Sequence, residues 1–153
     1  MSSAAPKLLI VDDEVNLRFA VRRYFAALGY DVCEADSAAA AARVFDEERP
    51  DVVLLDVRLP DGNGLEVFRG LRLRDASLPV VFLTGHGSIE AAVQAIQEGA
   101  EQFLTKPVEL AALRPLVERL VETVRSRRVG AAQRSREARR ALDPFLGESP
   151  SIR

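Results

Sequence analysis

Residues 50–62 read PDVVLLDVRLPDG and contain the segment that decides the predicted fold. Four aliphatic residues, Val52 to Leu55, follow one another between a turn-forming Pro-Asp pair and a carboxylate. A short apolar run with breakers at its ends is typical of a strand that is buried on both faces, as in a parallel sheet covered by helices. Because ligands of such folds bind beyond the carboxyl ends of the strands, we expect Asp56 to lie at the functional edge of the sheet.

Strand-like and helix-like segments alternate along the rest of the chain. Further strands are predicted over residues 7–11, 31–35, 79–83 and 102–105, and helices over 17–28, 37–48, 65–74, 88–98 and from Glu109 onward. The alternation predicts an α/β fold, a doubly wound five-stranded parallel sheet in the flavodoxin-like order 2-1-3-4-5, with an extended C-terminal helix. In that order strands one, three and four are neighbours, so Asp12, Asp13, Asp56 and Thr84 are expected to meet at their ends.

The composition is that of an ordinary globular domain with a C-terminal extension. The chain has 153 residues, a net charge of -2 and 48% hydrophobic residues, which gives no sign of a polyanion-binding protein. Its one cysteine, Cys33, excludes an internal disulfide and fits a reducing compartment. No apolar run approaches the roughly 20 residues of a membrane span, and the first residues lack the layout of a signal peptide. We therefore expect a cytoplasmic protein that makes no membrane contact.

The residues at the predicted strand ends suit phosphoryl chemistry. Three carboxylates in one crevice repel one another, and Mg²⁺, which prefers carboxylate, water and phosphate oxygens, would relieve that repulsion. Lys106 follows the last strand and adds a positive charge, and Thr84 offers a hydroxyl. Such a pocket can hold a phosphoryl group while Asp56 acts as the nucleophile. A single Asp or Lys at a strand end is more often a solvated end, so the hypothesis depends on the convergence of all of them.

In this order and spacing the motifs resemble those of a two-component response-regulator receiver domain, over about residues 7–125. They are Asp12-Asp13, Leu-Leu-Asp56 with its Val-Arg-Leu-Pro-Asp-Gly continuation, Thr84-Gly85 and Lys106-Pro107. The resemblance implies that Asp56 accepts a phosphoryl group from a phosphohistidine of a sensor histidine kinase. It also implies Mg²⁺ held by Asp13, Asp56 and the backbone carbonyl of Arg58, with Asp12 in contact through water. Lys106 would bind a phosphoryl oxygen, next to a cis bond to Pro107.

The same resemblance assigns switching and tuning roles to four residues. Thr84 would turn its hydroxyl toward the phosphoryl group, and Phe103 occupies the position of the family's switch aromatic. Phe103 has no hydroxyl and can also be interpreted as a plain core aromatic. Arg58 and His86 flank the solvent side of the acceptor, and we expect them to tune how fast water hydrolyses the phosphoaspartate. His86 is the only histidine, so the chain is not expected to be a phosphohistidine donor.

The final helix carries a seam of apolar residues at alternating three- and four-residue spacing. The seam consists of Leu110, Leu113, Val117, Leu120 and Val124, with Leu116 and Val121 in a neighbouring stripe. This pattern favours a short coiled coil and a homodimer through the helix. The alternative, one helix docked on its own domain, explains the pattern up to about Val117. Pro115 interrupts the helix, and we expect a kink there.

The C-terminal region suggests a longer regulatory protein. We divide the chain into a tail (1–6), a receiver domain (7–124), a basic helical linker (125–141) and the start of a further domain (142–153). The last segment resembles the entry to the AAA+ ATPase domain of NtrC-type activators of sigma-54 RNA polymerase, and residues 84–93 are also similar to receivers of that type. The chain contains no Gly-x-x-x-x-Gly-Lys phosphate loop, so we expect a regulatory part and not the ATPase. The arginines of the linker lack a recognition module, and no direct nucleic-acid contact is expected.

Two other functions use a similar sheet. A Mg²⁺-dependent phosphatase with an aspartyl nucleophile would carry an acidic residue two positions after Asp56, where this chain has Arg58. A pseudo-receiver that only binds a partner would not need the acidic pair, Thr84 and Lys106. We therefore favour a phosphorylation-dependent receiver domain, which is no enzyme beyond assisting its own phosphotransfer and dephosphorylation. Its partners would be a sensor histidine kinase, a second copy of the chain, its own AAA+ domain and sigma-54 RNA polymerase.

Overall fold

Runs of aliphatic residues form the strands, and the amphipathic segments between them form the helices. The structure is a computed structural model that describes residues 4–85 and 88–142, with side chains through Gly130. The strands are β1 (Lys7–Val11), β2 (Asp31–Ala35), β3 (Val52–Asp56), β4 (Val80–Thr84) and β5 (Gln102–Thr105), and the helices are α1 (Val15–Ala27), α2 (Ala38–Glu48), α3 (Gly64–Arg74), α4 (Ile89–Gln97) and α5 (Leu110–Leu142). A short antiparallel pair, Arg58–Leu59 with Gly62–Asn63, replaces the loop that the sequence predicts after β3.

The five strands form a parallel sheet in the order β2-β1-β3-β4-β5. This confirms the predicted flavodoxin-like fold, including the adjacency of β1, β3 and β4. Strands β3 and β4 each extend one residue beyond the predicted end, because Asp56 and Thr84 still pair in the ladder. Both side chains therefore belong to the last residue of a strand, which fixes their backbone more firmly than a loop would.

Helices cover both faces of the sheet, and each face has its own apolar cluster. One cluster contains Phe45 of α2, Phe68 of α3 and Phe82 of β4, and the other contains Phe25 of α1 and Val117 of α5. Successive residues of a strand alternate between the two clusters, which is why the strands read as unbroken apolar runs in the sequence. The doubly wound arrangement is therefore confirmed.

Polar side chains fix the ends of the helices near the candidate site. Ser37 Oγ accepts a hydrogen bond from the Ala40 backbone N–H at 3.1 Å, as expected of an N-cap. The Asp61 carboxylate also accepts bonds from the first residues of α2, including one of 2.7 Å from the Ala38 N–H. Asn63 caps α3 through a 2.7 Å bond from the Leu65 N–H. The segment after β3 is thereby tied to two helices.

The structure shows what part of the apolar seam on α5 packs against. Leu113, Val117 and Leu120 lie in the cluster that covers the sheet, and Leu110 packs against that cluster. Val124 is also buried, with 7% of its surface exposed. Leu113, Val117 and Leu120 therefore pack within the monomer, and the predicted dimer through the helix stays a prediction. For these three residues the packing partner is the chain's own sheet, which is the alternative that the sequence leaves open up to about Val117.

Helix α5 continues without interruption to Leu142 and contains Pro115 at an exposed position. The expected kink at this proline stays a prediction. Tertiary contacts divide the chain into two compact units, one ending at Val121 and the other starting at Glu122, a few residues before the predicted domain boundary. The proposed start of a further domain lies outside the described residues, apart from Leu142. Across the described ranges, no helix has the length and hydropathy that are needed to cross a bilayer.

Arg72 of α3 connects three segments of the chain. Its guanidinium lies 4.8 Å from the centroid of the Phe68 ring and donates hydrogen bonds to the carbonyl of Leu78, at 2.8 Å, and to that of Gly99, at 2.7 Å. Gly99 follows α4 and has a positive φ of 109°. One planar side chain thus ties α3 to the start of β4 and to the turn between α4 and β5.

We expect Arg72→Met to lower the free energy of unfolding by about 2 kcal/mol, because hydrogen bonds from a charged donor contribute roughly 1.5–3 kcal/mol each and the side chain keeps some water. Arg74→Met is the matched control, since its ion pair with Asp46 is exposed and should contribute less than about 1 kcal/mol. Urea unfolding measures both. Equal losses for the two variants would contradict the role given to Arg72.

Candidate functional site

Asp56 ends the central strand at the carboxyl edge of the sheet. Its neighbours Leu54 and Leu55 are fully buried, and the residue itself is only 6% exposed. Its Oδ1 accepts a hydrogen bond from the Arg58 backbone N–H at 3.2 Å, and its Oδ2 accepts one from Lys106 Nζ at 3.2 Å. The side chain is therefore held from two sides at the carboxyl edge of the sheet, where the sequence predicts it.

Two further carboxylates reach the same point from the end of β1. Carboxylate oxygens of Asp12, Asp13 and Asp56 all lie within 4.8 Å of one another. Asp12 is fully buried, whereas Asp13 is exposed. The Oδ1 of Asp12 accepts a 2.9 Å bond from the Glu14 backbone N–H, but its Oδ2 accepts no hydrogen bond within the described residues. That buried oxygen lies 2.8 Å from Lys106 Nζ, so the contact is an ion pair without hydrogen-bond alignment.

Lys106 supplies the positive charge of the site from the end of β5. Its Nζ lies 2.8 Å from Asp12, 3.1 Å from Glu14 and 3.2 Å from Asp56. Its backbone N–H donates to the carbonyl of Thr84 at 2.8 Å, which joins the ends of β5 and β4. The expected cis bond between Lys106 and Pro107 is present. The ammonium is thus shared among three carboxylates, of which Asp56 ends β3 and Asp12 and Glu14 follow β1.

Burial and charge act on Asp56 and Lys106 in opposite directions. Burial raises the pKa of the Asp56 carboxyl above its ordinary value, and the neighbouring Asp12 carboxylate raises it further, against the opposing effect of Lys106. Burial lowers the pKa of Lys106, but pairing with Asp12, Glu14 and Asp56 outweighs it, so the pKa lies above its ordinary value. The lysine stays charged at neutral pH, and its positive charge favours the ionised form of Asp56.

The other predicted site residues differ in their placement. Thr84 is fully buried and its hydroxyl donates to the carbonyl of Gly85 at 3.2 Å. Phe103 is half-buried and packs against the cluster that contains Phe68 and Phe82, so its side chain has a partly open environment. Arg58 is exposed two residues after the acceptor. His86 lies outside the described residues.

Two residues of the site were not singled out by sequence reasoning. A Cβ on Gly64 would lie 2.2 Å from the backbone oxygen of Asp56, and the Gly64 N–H donates to the carbonyl of Val57 at 2.6 Å. The start of α3 can therefore pack against the main chain of Asp56 only because Gly64 has no side chain. Glu14 is the second such residue, because its side chain reaches Lys106. The Asn-Gly pair at 63–64 signals a turn, whereas nothing in the sequence indicates the reach of Glu14.

The arrangement defines a receiver domain. The chain belongs to the response-regulator receiver domain family, whose model matches residues 8–118. Receiver domains are signalling modules, and phosphorylation of the receiver domain is how members of this family are regulated.

The chain is similar to a solved receiver domain and to curated regulatory proteins. The crystal structure of the receiver domain of NtrX from Brucella abortus has a TM-score of 0.71 and 36% sequence identity, over 76% of this chain and 98% of that one. The C4-dicarboxylate transport transcriptional regulatory protein DctD of Rhizobium meliloti is 34% identical over 97% of this chain and 32% of its own length. The response regulator protein PilR of Pseudomonas aeruginosa is 37% identical over 96% and 31%. The chain thus spans about a third of the length of these two curated relatives.

We expect Gly64→Ala to destabilise the fold by about 1–3 kcal/mol, as overpacking against a fixed backbone does. The control is Gly70→Ala, in the middle of α3, where a Cβ would meet only the Arg74 side chain at an ordinary 3.7 Å. Removing a helical glycine should raise the free energy of unfolding by roughly 0.5–1 kcal/mol. Chemical denaturation should therefore show that the free energy of unfolding falls in Gly64→Ala and rises in Gly70→Ala. An unchanged free energy in Gly64→Ala would contradict the close contact between Gly64 and the main chain of Asp56.

Proposed function

We propose that Asp56 accepts a phosphoryl group from a phosphohistidine of a sensor histidine kinase and so controls a downstream activity. The observation that carries this proposal is the convergence of Asp12, Asp13, Asp56 and Lys106 at one edge of the sheet, with the acceptor's second oxygen 3.2 Å from an ammonium. A buried carboxylate in such surroundings has fixed orientation and an opposing charge, which are the conditions that a nucleophile of this kind needs.

In the transfer step a carboxylate oxygen of Asp56 attacks phosphorus. A P–O bond forms, and the N–P bond of the phosphohistidine breaks with its electron pair on the imidazole nitrogen, which takes a proton from water. Lys106 faces the attacked group and would bind one of its oxygens, because its ammonium already lies next to Asp56. The product is an acyl phosphate on Asp56.

The residues present fit a bound Mg²⁺. The buried Oδ2 of Asp12 accepts no hydrogen bond within the described part of the chain. Carboxylate oxygens of Asp12, Asp56 and the exposed Asp13 lie within 4.8 Å of one another. Asp13, Asp56 and the backbone carbonyl of Arg58 would hold the ion, with Asp12 in contact through water. When bound, the ion supplies positive charge that offsets the charge of the phosphoryl oxygens.

Phosphorylation would act on the hydroxyl of Thr84 and on Phe103. A phosphoryl group brings up to roughly two negative charges and strong acceptor oxygens at pH 7. The Thr84 hydroxyl, which donates to Gly85 at 3.2 Å, would turn to such an oxygen. Phe103, only half-buried, would follow, and the surface of α4, β5 and the start of α5 would change. Arg58 and His86 stay predicted tuners of the dephosphorylation rate.

We further propose that this domain regulates the AAA+ ATPase of a sigma-54-type transcriptional activator. Several relatives are named as transcriptional regulatory proteins, among them DctD and GlrR. The domain would act through contacts with its own ATPase domain and would leave nucleic-acid contact to other parts of the protein. Partners of this kind, a sensor kinase and RNA polymerase, imply a cytoplasmic location.

The phosphoacceptor is tested by intact-mass measurement after incubation with acetyl phosphate. The wild type with Mg²⁺ should gain the mass of one phosphoryl group, and Asp56→Asn should gain none because it lacks the nucleophile. Asp61→Asn is the matched control, since Asp61 lies five residues further on, caps α2 and should leave phosphorylation intact. Chelation of the metal should abolish the gain. A wild type without any gain, or an Asp56→Asn variant with one, would refute the proposal.

A homodimer through α5 remains a proposal, with a smaller interface than the sequence suggested. Since Leu113, Val117 and Leu120 are committed to the core, a dimer would have to use the helix beyond Val121. Light scattering over a wide concentration range should then show a weak, concentration-dependent dimer. A constant monomer mass at the highest concentrations would rule it out.

A further inference from the structure

Arg18 of α1 lies behind the acidic turn and contacts its main chain. The guanidinium donates one hydrogen bond to the backbone carbonyl of Asp12 at 2.8 Å and another to Glu34 Oε1 at 2.9 Å. Only 15% of its side chain is exposed. The partly buried guanidinium of Arg18 thus joins the end of β1 to β2 through two hydrogen bonds.

Both backbone polar groups of Asp12 are therefore fixed from outside the turn. Its N–H donates to the carbonyl of Ala35 at 3.0 Å, which continues the β1–β2 ladder by one step, and its carbonyl is held by Arg18. The Arg18 N–H also donates to the carbonyl of Glu14 at 3.1 Å, at the other end of the same turn. The orientation of the acidic pair depends on this framework, since the three residues from Asp12 to Glu14 have no other regular structure.

We infer that Arg18, oriented by Glu34, is a positioning residue that holds the Asp12–Glu14 turn in the geometry needed to bind a divalent cation. The inference rests on the proposed Mg²⁺ site. Partners that orient metal ligands from behind commonly change metal affinity by ten- to a hundredfold when they are removed. Here Arg18 positions the main chain of the turn. Loss of the Arg18 side chain would leave the Asp12 carbonyl without this hydrogen bond and the carboxylates of Asp12 and Asp13 less well oriented.

Whether Mg²⁺ affinity rises or falls when Arg18 is replaced distinguishes a positioning role from a purely electrostatic one. Removal of a positive charge near a cation site should tighten cation binding by Coulomb's law. Removal of a positioning group should weaken binding although the net charge becomes more negative. A planar guanidinium can make two directed bonds at once, whereas a lysine is a point charge, so charge alone should not restore the function.

The experiment measures Mg²⁺ affinity by isothermal titration calorimetry, without any phosphodonor, on the wild type, Arg18→Met, Arg18→Lys and Arg22→Met. Arg22→Met is the matched control, because Arg22 lies one helical turn further on and pairs with Glu34 but has no bond to Asp12. We expect Arg18→Met to bind Mg²⁺ about tenfold more weakly. Arg18→Lys should also be weaker than the wild type, and Arg22→Met should equal it or bind slightly more tightly.

A second measurement separates positioning from damage to the fold. With acetyl phosphate, the Mg²⁺ concentration for half-maximal phosphorylation should rise in both Arg18 variants, while the rate at saturating Mg²⁺ approaches that of the wild type. A general loss of structure would lower the saturated rate instead. Arg18→Lys keeps the net charge and serves alone should Arg18→Met fail to fold.

The outcomes distinguish this inference from the function on which it rests. If the wild type binds no Mg²⁺, the proposed metal site is wrong. If the wild type binds Mg²⁺ and Arg18→Lys matches it, or Arg18→Met binds as tightly as Arg22→Met, the positioning role is overturned. Weaker binding by both Arg18 variants and unchanged binding by Arg22→Met supports it.

Discussion

The functional edge of this domain depends on the charge of one half-buried ammonium. Lys106 lies between 2.8 and 3.2 Å from carboxylates of Asp12, Glu14 and Asp56. Two of these acids are almost without solvent, and buried charges that lack a partner are costly. Because neighbouring carboxylates also repel one another, a cation beside Asp12 and Asp56 relieves that repulsion. Lys106 provides that cation before any ion or phosphoryl group arrives.

The parallel sheet brings these groups together with little freedom. The main chain continues its ladder just past the strands, through bonds from Val57 to Leu83 at 3.2 Å and from Lys106 to Thr84 at 2.8 Å. The loops after β3 and β5 therefore leave the sheet in a fixed direction, and the backbone orientation of Val57 and Lys106 is fixed with them. Gly64 completes the arrangement, because only a residue without a Cβ can pack against the main chain of Asp56. The site is thus defined by backbone geometry as much as by its acids.

Much of this could be predicted from the sequence, since unbroken apolar runs identify buried strands and the residues after them identify the functional edge. This reasoning singled out Asp12, Asp13, Asp56, Thr84 and Lys106, and the structure brings the three carboxylates together beside Lys106. The packing partner of Leu113, Val117 and Leu120 on α5 could not be predicted, because a helix shows the same spacing whether it packs on a sheet or on a second helix. The close approach at Gly64 and the reach of Glu14 depend on loop geometry that a one-dimensional pattern does not contain.

The existing contacts also determine how the proposed phosphorylation would proceed. The Thr84 hydroxyl makes one neutral hydrogen bond, to Gly85, and such a bond contributes about 0.5–1.5 kcal/mol net. A bond to a phosphoryl oxygen is charge-assisted and roughly twice as strong, so the exchange is downhill. For Lys106 the exchange has a cost, because each contact that its ammonium makes with a phosphoryl oxygen weakens its ion pairs with Asp12 and Glu14. A divalent cation next to those acids compensates for that loss. Cation and phosphoryl group are therefore expected to bind cooperatively, each raising the affinity for the other by the same factor.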